Sequence, residues 1–226
     1  MKTKHVLVPL ALALFGGSAV AQQPAAPAAP PPPQPQGPMS FFITSVGKGD
    51  GANLGGLAGA DAHCKTLATA AGRGNVEWHA YLSAAPANGQ PQVHARDRIG
   101  RGPWYNAKGV PVAWNIDDLH QDRNNIRKPT ALNEKGEEVN GVGNTPNTHD
   151  MLTGSDSTGR LVPGNALNTT CSNWTSNGAG SAMLGHHDRL GGGTASWNSV
   201  HSSRSCSQTD LVATGGAGLF YCFAVQ

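Results

Sequence analysis

The chain has 226 residues, of which 16 are basic and 14 acidic, for a formal charge of +2. Only 13% of its residues are charged and no basic block stands out, which excludes the electrostatic footprint of a nucleic-acid binder. Thirty glycines and 6% aromatics point to a loop-rich, sheet-containing domain with few long helices.

Residues 1–21 read as a secretory signal. Lys2 and Lys4 give a positive start, Val6 to Phe15 is an apolar run too short to span a bilayer, and Ser18-Ala19-Val20-Ala21 offers small residues before Gln22. Loss of Lys2 and Lys4 with that leader leaves 14 basic against 14 acidic residues, a net charge of zero. No second long apolar stretch or amphipathic membrane helix follows, so the expected location is secreted or periplasmic. Residues 22–38, QQPAAPAAPPPPQPQGP, cannot bury a core and favour extended polyproline II. They read as a tether to one folded domain over 39–226.

Phe41 to Thr44 reads as the first strand. Leu57, Ala60, Cys64, Leu67 and Ala71 recur at spacings of three and four, which predicts an amphipathic helix over 54–71 with Cys64 on its buried side. Gly72 supplies a stop. Trp78 to Ser83 alternates, with Trp78, Ala80 and Leu82 on one face and His79, Tyr81 and Ser83 on the other, which predicts a strand. Gly102-Pro103 marks a turn and places Trp104-Tyr105 near the surface. Val110 to Trp114 reads as a further strand. Residues 115–148 are polar and resist assignment, apart from a Glu/Lys-Gly turn in TALNEKGEEVN. Met151-Leu152 and Trp174 are expected to anchor strands, with long irregular loops at 154–170 and 176–196. Leu219 to Phe223 reads as the final strand. No internal repeat is evident.

Cys64, Cys171, Cys206 and Cys222 are expected to form disulfides in an exported protein. Four cysteines allow three pairings, and sequence alone does not choose. No C-x-x-C or H-x-x-x-H spacing supports zinc instead.

The strings FFITSVGKGDGANLGGLAGADAHC, ARDRIGRGPWYNAKG, THDMLTGSDSTGR, TCSNWTS and GHHDR…SWNS…CSQ…GLFYCF are similar to exported bacterial lectin-like proteins of the C-type lectin-like, endostatin-like group. The resemblance covers essentially all of 40–224. It implies an α+β fold of short antiparallel sheets with one or two helices, long loops and two nested disulfides, Cys64–Cys222 and Cys171–Cys206. In the chain-entropy view these would contribute roughly 5 and 4 kcal/mol respectively. The resemblance is to a group named by fold, and a fold does not fix a function.

Many sugar-binding members of this fold hold calcium through Glu/Gln-Pro-Asn/Asp and Trp-Asn-Asp motifs. Here Trp197-Asn198-Ser199 stands at the second, with Ser199 in place of the carboxylate, and the first is missing. Calcium prefers several oxygen ligands including carboxylates, so no cofactor is expected and the usual calcium site is incomplete. Asp150, Asp156 and Asp188 remain as carboxylates that could serve by another route.

Trp104-Tyr105, Trp114, Trp174 and Trp197 lie among polar residues, and an exposed aromatic beside Asn, Asp or Arg suits the C–H face and hydroxyls of a sugar. Trp174 and Trp197 are better suited to core packing. His186, His187, Asp188 and Arg189 form the densest polar cluster. Adjacent histidines on an extended segment point opposite ways, so the pair does not chelate one ion, although His149-Asp150 could join one of them if the loops meet. Zinc binding by endostatin-type relatives through an N-terminal His-rich segment does not carry over to this Pro/Gln-rich start. No nucleophile elbow, metalloprotease helix or phosphate loop is present, and the reactive cysteine pair of formylglycine-generating enzymes is not recognisable.

The expectation is a non-catalytic, monomeric or weakly oligomeric protein that binds carbohydrate or glycoconjugate without nucleic-acid binding or membrane insertion. Its candidate contacts are His149, Asp150, Asp156, His186, His187, Asp188, Arg189, Trp104, Tyr105 and Asn198, and no metal ligands are assigned. The alternative is a cell-envelope or matrix adhesion protein with a protein or polyanion partner.

Overall fold

The computed structural model describes residues 1–2, 34–164, 166–191 and 195–225, with only the backbone of 166 and 167. The chain divides into residues 1–32 and 33–226, and every described element lies in the second. Most of the expected leader, and the expected tether up to residue 33, fall outside the described residues. The last residues of that stretch are tied down: the Gln36 N–H donates to the Gly109 carbonyl at 2.8 Å.

The architecture is α+β. In chain order it comprises β1 (Phe41–Ile43), α1 (Gly56–Ala70), β2 (Trp78–Ala80), β3 (Trp104–Tyr105), β4 (Pro111–Ala113), α2 (Ile116–Leu119), β5 (Asp150–Leu152), α3 (Cys171–Trp174), β6 (Met183–His186), β7 (His201–Ser202), α4 (Gln208–Ala213) and β8 (Gly216–Ala224). A six-stranded sheet runs β1-β8-β5-β6-β7, with β2 also paired to β8, and β3-β4 form a separate hairpin. The first and last strands of the domain are therefore neighbours.

β8 is the spine, and its alternation explains the two cores. Phe220, Cys222 and Ala224 face one side with Phe42, Trp78 and Leu82. Leu219, Tyr221 and Phe223 face the other with Phe41, Tyr81, Trp104 and Trp197. Both faces of the sheet are thus covered, the first by α1 and the second by the long polar connections. Each fully buried Phe or Leu on this spine contributes roughly 1.5–3 kcal/mol.

Helix α1 carries Ala60, Cys64 and Ala68 against the sheet, with Leu57, Leu67 and Ala71 half-buried beside them, which is the predicted face. Cys64 is bonded to Cys222 on β8, and Cys171 to Cys206. Asp61 on α1 adds a second tie. Its Oδ2 lies 2.6 Å from Arg98 Nη2, and its Oδ1 accepts the Ala80 N–H at 2.8 Å.

Four expectations change. The sheet is not purely antiparallel, because β5 pairs with β8 in parallel. Among the described residues there are four helices rather than one or two, since three short ones of four, four and six residues punctuate the loops. Trp174 does not anchor a strand. It ends α3, a single left-handed turn in which Cys171, Ser172, Asn173 and Trp174 all have φ between 47° and 65°. Left-handed residues other than glycine are costly, and this turn is held from outside. The Asn173 amide bonds both ways with the Ala85 backbone, the Trp174 indole N–H donates to Ser83 O at 2.8 Å, and Cys171 is stapled. Within the loop expected at 176–196 lies β6. Its Met183 and Leu184 are too few apolar residues to signal a strand.

Candidate functional site

The structure gathers part of the predicted constellation and scatters the rest. Asp150 on β5 and His186 on β6 are direct cross-strand partners. His149, just before β5, stacks on the His186 ring at a centroid distance of 3.9 Å. Ligand atoms of His149, Asp150 and His186 all lie within 4.8 Å of one another, so these three could hold a metal ion. All three are buried. Gly215 closes against the His149 ring: a Cβ there would sit 3.3 Å from its Cδ2, at a φ of +100° that disfavours other residues.

His187 turns the other way, as alternation requires, and its Nε2 meets the Asn140 carbonyl at 3.1 Å. Burial pushes its pKa down. In His186 burial also pushes the pKa down, but the neighbouring Asp150 carboxylate outweighs it and the net direction is upward.

Asp188 is buried, while Arg189 is half-buried and lines a groove with Trp197 and Asn198. Asp188 is 4% exposed and accepts from the Val142 N–H at 2.8 Å, the Leu190 N–H at 3.0 Å and His149 Nδ1 at 3.3 Å. Burial raises its pKa, yet the His149 ring and the two N–H groups prevail and hold the carboxyl well below the usual range. Arg189 donates from Nη2 to Asn124 Oδ1 at 2.7 Å, and burial lowers its pKa to about 10. Asp156 is spent on its own turn, accepting from the Thr158 and Arg160 N–H groups at 2.9 and 3.0 Å.

Trp104, expected near the surface, is a correction. Trp104 is fully buried edge-on to Phe223, with ring centroids 5.3 Å apart, because the turn at Gly102-Pro103 folds the ring inward. Asn198 is 1% exposed, and its amide bonds the Tyr81 hydroxyl and the Asp156 carbonyl, each at 3.0 Å. It braces the loops over the sheet at the wall of a groove that Arg189 also lines. Tyr105 is half-buried at the hairpin, while Trp174 and Trp197 are core residues as expected.

The most exposed aromatic among the described residues is Trp114, 54% exposed at the end of β4. Val112 and Ala113 both turn inward, and the chain then leaves the hairpin for the Asn115 N-cap of α2, which carries the indole outward. Tyr105 meets it edge-on at 6.4 Å. Beside it lies a groove of about 410 Å³ lined by Trp114, Asn115, Asp118, Arg123 and Asn125. Asp118 fixes this rim: Oδ2 accepts the Trp114 N–H at 3.0 Å, and Oδ1 lies 3.8 Å from Arg123 Nε. The groove thus combines an open ring face, a carboxylate, a guanidinium and two amides.

Comparison with models of known protein families gives no match, and comparison with curated proteins gives none. The functional reading therefore rests on the geometry alone. Sequence reading singled out Trp114 only among the aromatics and passed over Asn115, Asp118, Arg123 and Asn125. Their signal was the Trp-Asn-x-x-Asp spacing, an aromatic followed by a helix N-cap. It also passed over His201, which the sheet brings to the edge of the His149/Asp150/His186 group.

Proposed function

We propose that this chain is an exported, non-catalytic carbohydrate- or glycoconjugate-binding protein of C-type lectin-like fold, and that it binds through the groove beside Trp114. Supporting the fold reading are the paired first and last strands, the helix stapled to the last strand and the second disulfide nested inside the first. Supporting the location are the signal-like residues 1–21 and two disulfides, which persist in oxidising compartments. No helix among the described residues is long and apolar enough to cross a membrane.

The observation that carries the binding reading is the exposure of Trp114 on a polar rim. A sugar ring has an apolar C–H face and hydroxyl edges. Stacking on the indole covers the face, and Asp118, Arg123, Asn115 and Asn125 supply acceptors and donors for the edges. Oligosaccharide recognition of this kind needs no metal in the groove.

A glycan array probed with the full chain, with and without chelator, tests this. The expected result is a set of oligosaccharide signals that survive chelation. Binding only to immobilised protein or heparin replaces this reading with an adhesion protein.

A further inference from the structure

Three histidines and one aspartate converge from three neighbouring strands. His186 on β6 stands opposite Asp150 on β5, and His201 on β7 stands opposite Leu184, two residues from His186 on the same face of β6. His149 adds its ring from the residue before β5.

Each ring has one nitrogen committed. Nδ1 of His149 faces Asp188 Oδ1 at 3.3 Å, Nδ1 of His186 faces the Gly191 carbonyl at 2.8 Å, and Nδ1 of His201 faces the Ser202 carbonyl at 3.1 Å. Those oxygens have no proton to give, so Nδ1 is the donor in each contact and Nε2 is the nitrogen left to offer a lone pair to an ion. The lone pairs gather around Asp150 Oδ1, at 3.0 Å from His186, 3.4 Å from His149 and 3.5 Å from His201. The His186 and His201 Nε2 atoms are themselves 3.0 Å apart.

Lone pairs and a carboxylate held this close repel one another unless positive charge sits among them. That charge can be a proton on one ring or a metal ion, and the four groups offer it a single shared centre. Asp150 is 2% exposed, and neither of its oxygens has a hydrogen-bond partner among the described residues. A buried carboxylate without partners calls for a cation. The spacing fits one. Metal–nitrogen bonds of about 2.0–2.1 Å place the corners of a tetrahedron about 3.3–3.4 Å apart; four of the six corner separations run from 3.0 to 3.5 Å, and the ligand atoms of His149 and His186 lie within 4.8 Å.

We infer that His149, Asp150, His186 and His201 form a binding site for one divalent transition-metal ion, with zinc best suited to the donors. Three imidazoles and one carboxylate suit zinc, whereas calcium and magnesium prefer all-oxygen sets. Asp188 and the two carbonyls behind the rings are the outer partners that orient metal-bound imidazoles. Four protein ligands fill a tetrahedron, so the ion is a structural brace across β5, β6 and β7. His201, whose side chain is 39% exposed, gives it a route in from solvent. None of the four residues lines the Trp114 groove.

The test is calorimetric titration of the full chain, stripped with chelator and dialysed, with zinc chloride and separately with calcium chloride. One zinc per chain is expected, with no comparable calcium binding. Zinc at a hundredfold excess over its dissociation constant should raise the melting temperature by about 5–10 °C. Asp150→Asn and His201→Ala should each weaken zinc binding at least tenfold. His201→Ala, a trim at an exposed sheet edge, decides alone if Asp150→Asn does not fold. Absence of saturable zinc binding by the wild-type chain overturns the inference, and so does wild-type affinity in the folded variants.

Discussion

The Tyr81 hydroxyl lies 2.7 Å from His120 Nε2 and joins the end of β2 to the end of α2. His120 Nδ1 donates to the Ile116 carbonyl at 2.7 Å, so Nε2 must accept, and the Tyr81 O–H donates to it. Asn198 completes the chain by donating to the Tyr81 oxygen. The arrangement requires a neutral imidazole. Burial drives the His120 pKa from 6.5 down to about 4, against smaller opposing effects from Ile116, Asp156 and Asp117, while Arg96 pushes the same way as burial. Burial also raises the pKa of Tyr81, which stays a donor.

A pH dependence follows. Between pH 6.5 and 4 the unfolded chain protonates His120 and the folded chain does not. Stability therefore rises with pH across this window and falls as pH drops through it, by at most about 3 kcal/mol from this group. The His120→Gln variant should lose that part of the slope in denaturant titrations at pH 7, 5.5 and 4. His186 and His187 titrate in both proteins and cancel in the difference. Equal slopes would show that His120 is not held neutral.

The two disulfides should differ in weight. Cys64–Cys222 closes a separation of 158 residues and Cys171–Cys206 one of 35. Loop entropy then gives about 5 and 4 kcal/mol as upper values. Replacing the outer pair with serines is expected to lower unfolding free energy by about 1 kcal/mol more than replacing the inner pair, read from urea titrations. The reverse order would mean that the inner staple's left-handed turn depends on its bond more than chain entropy allows.

Asn173 tests that turn directly. Its side chain satisfies both the Ala85 N–H and carbonyl, and its φ of 56° is one that asparagine tolerates better than most residues. Asn173→Ala should cost about 2–3 kcal/mol, two hydrogen bonds plus the left-handed penalty. A loss under 1 kcal/mol would indicate that the disulfide and Trp174 hold the turn unaided.

Asp188 is predicted to be a structural residue. Asp188→Ala leaves the Val142 and Leu190 N–H groups and the His149 ring without their acceptor, and should cost about 2–4 kcal/mol. Glycan affinity of the folded fraction should not change. Loss of affinity with an unchanged melting temperature would return Asp188 to the binding surface.

Much of the scaffold was legible because it rests on periodicity. The three-four spacing around Cys64 predicts α1 to within two residues at each end, and the alternation from Trp78 to Leu82 sorts those side chains to the correct cores. The strand there is shorter than expected, Trp78–Ala80: the Tyr81 N–H still bonds the Tyr221 carbonyl, but the chain then turns, with the Leu82 N–H bonding back to the Ala80 carbonyl. What failed rests on long-range contacts. Asp188 and Asn198 look like free polar groups in sequence, yet partners distant in the chain, Val142 and Tyr81, engage them, while Asp156 is held by its own turn. Trp104 and Trp114 look alike beside their turns, and only the inward fold of the hairpin decides which is core. His201 gains its meaning from β6–β7 register, which no local pattern encodes.

Calorimetry of Trp114→Ala against the oligosaccharide giving the strongest array signal tests the central claim most directly. Trp114 is 54% exposed and carries no core packing, so the melting temperature should hold while affinity falls at least tenfold. Wild-type affinity in the folded variant would contradict the groove as the binding site.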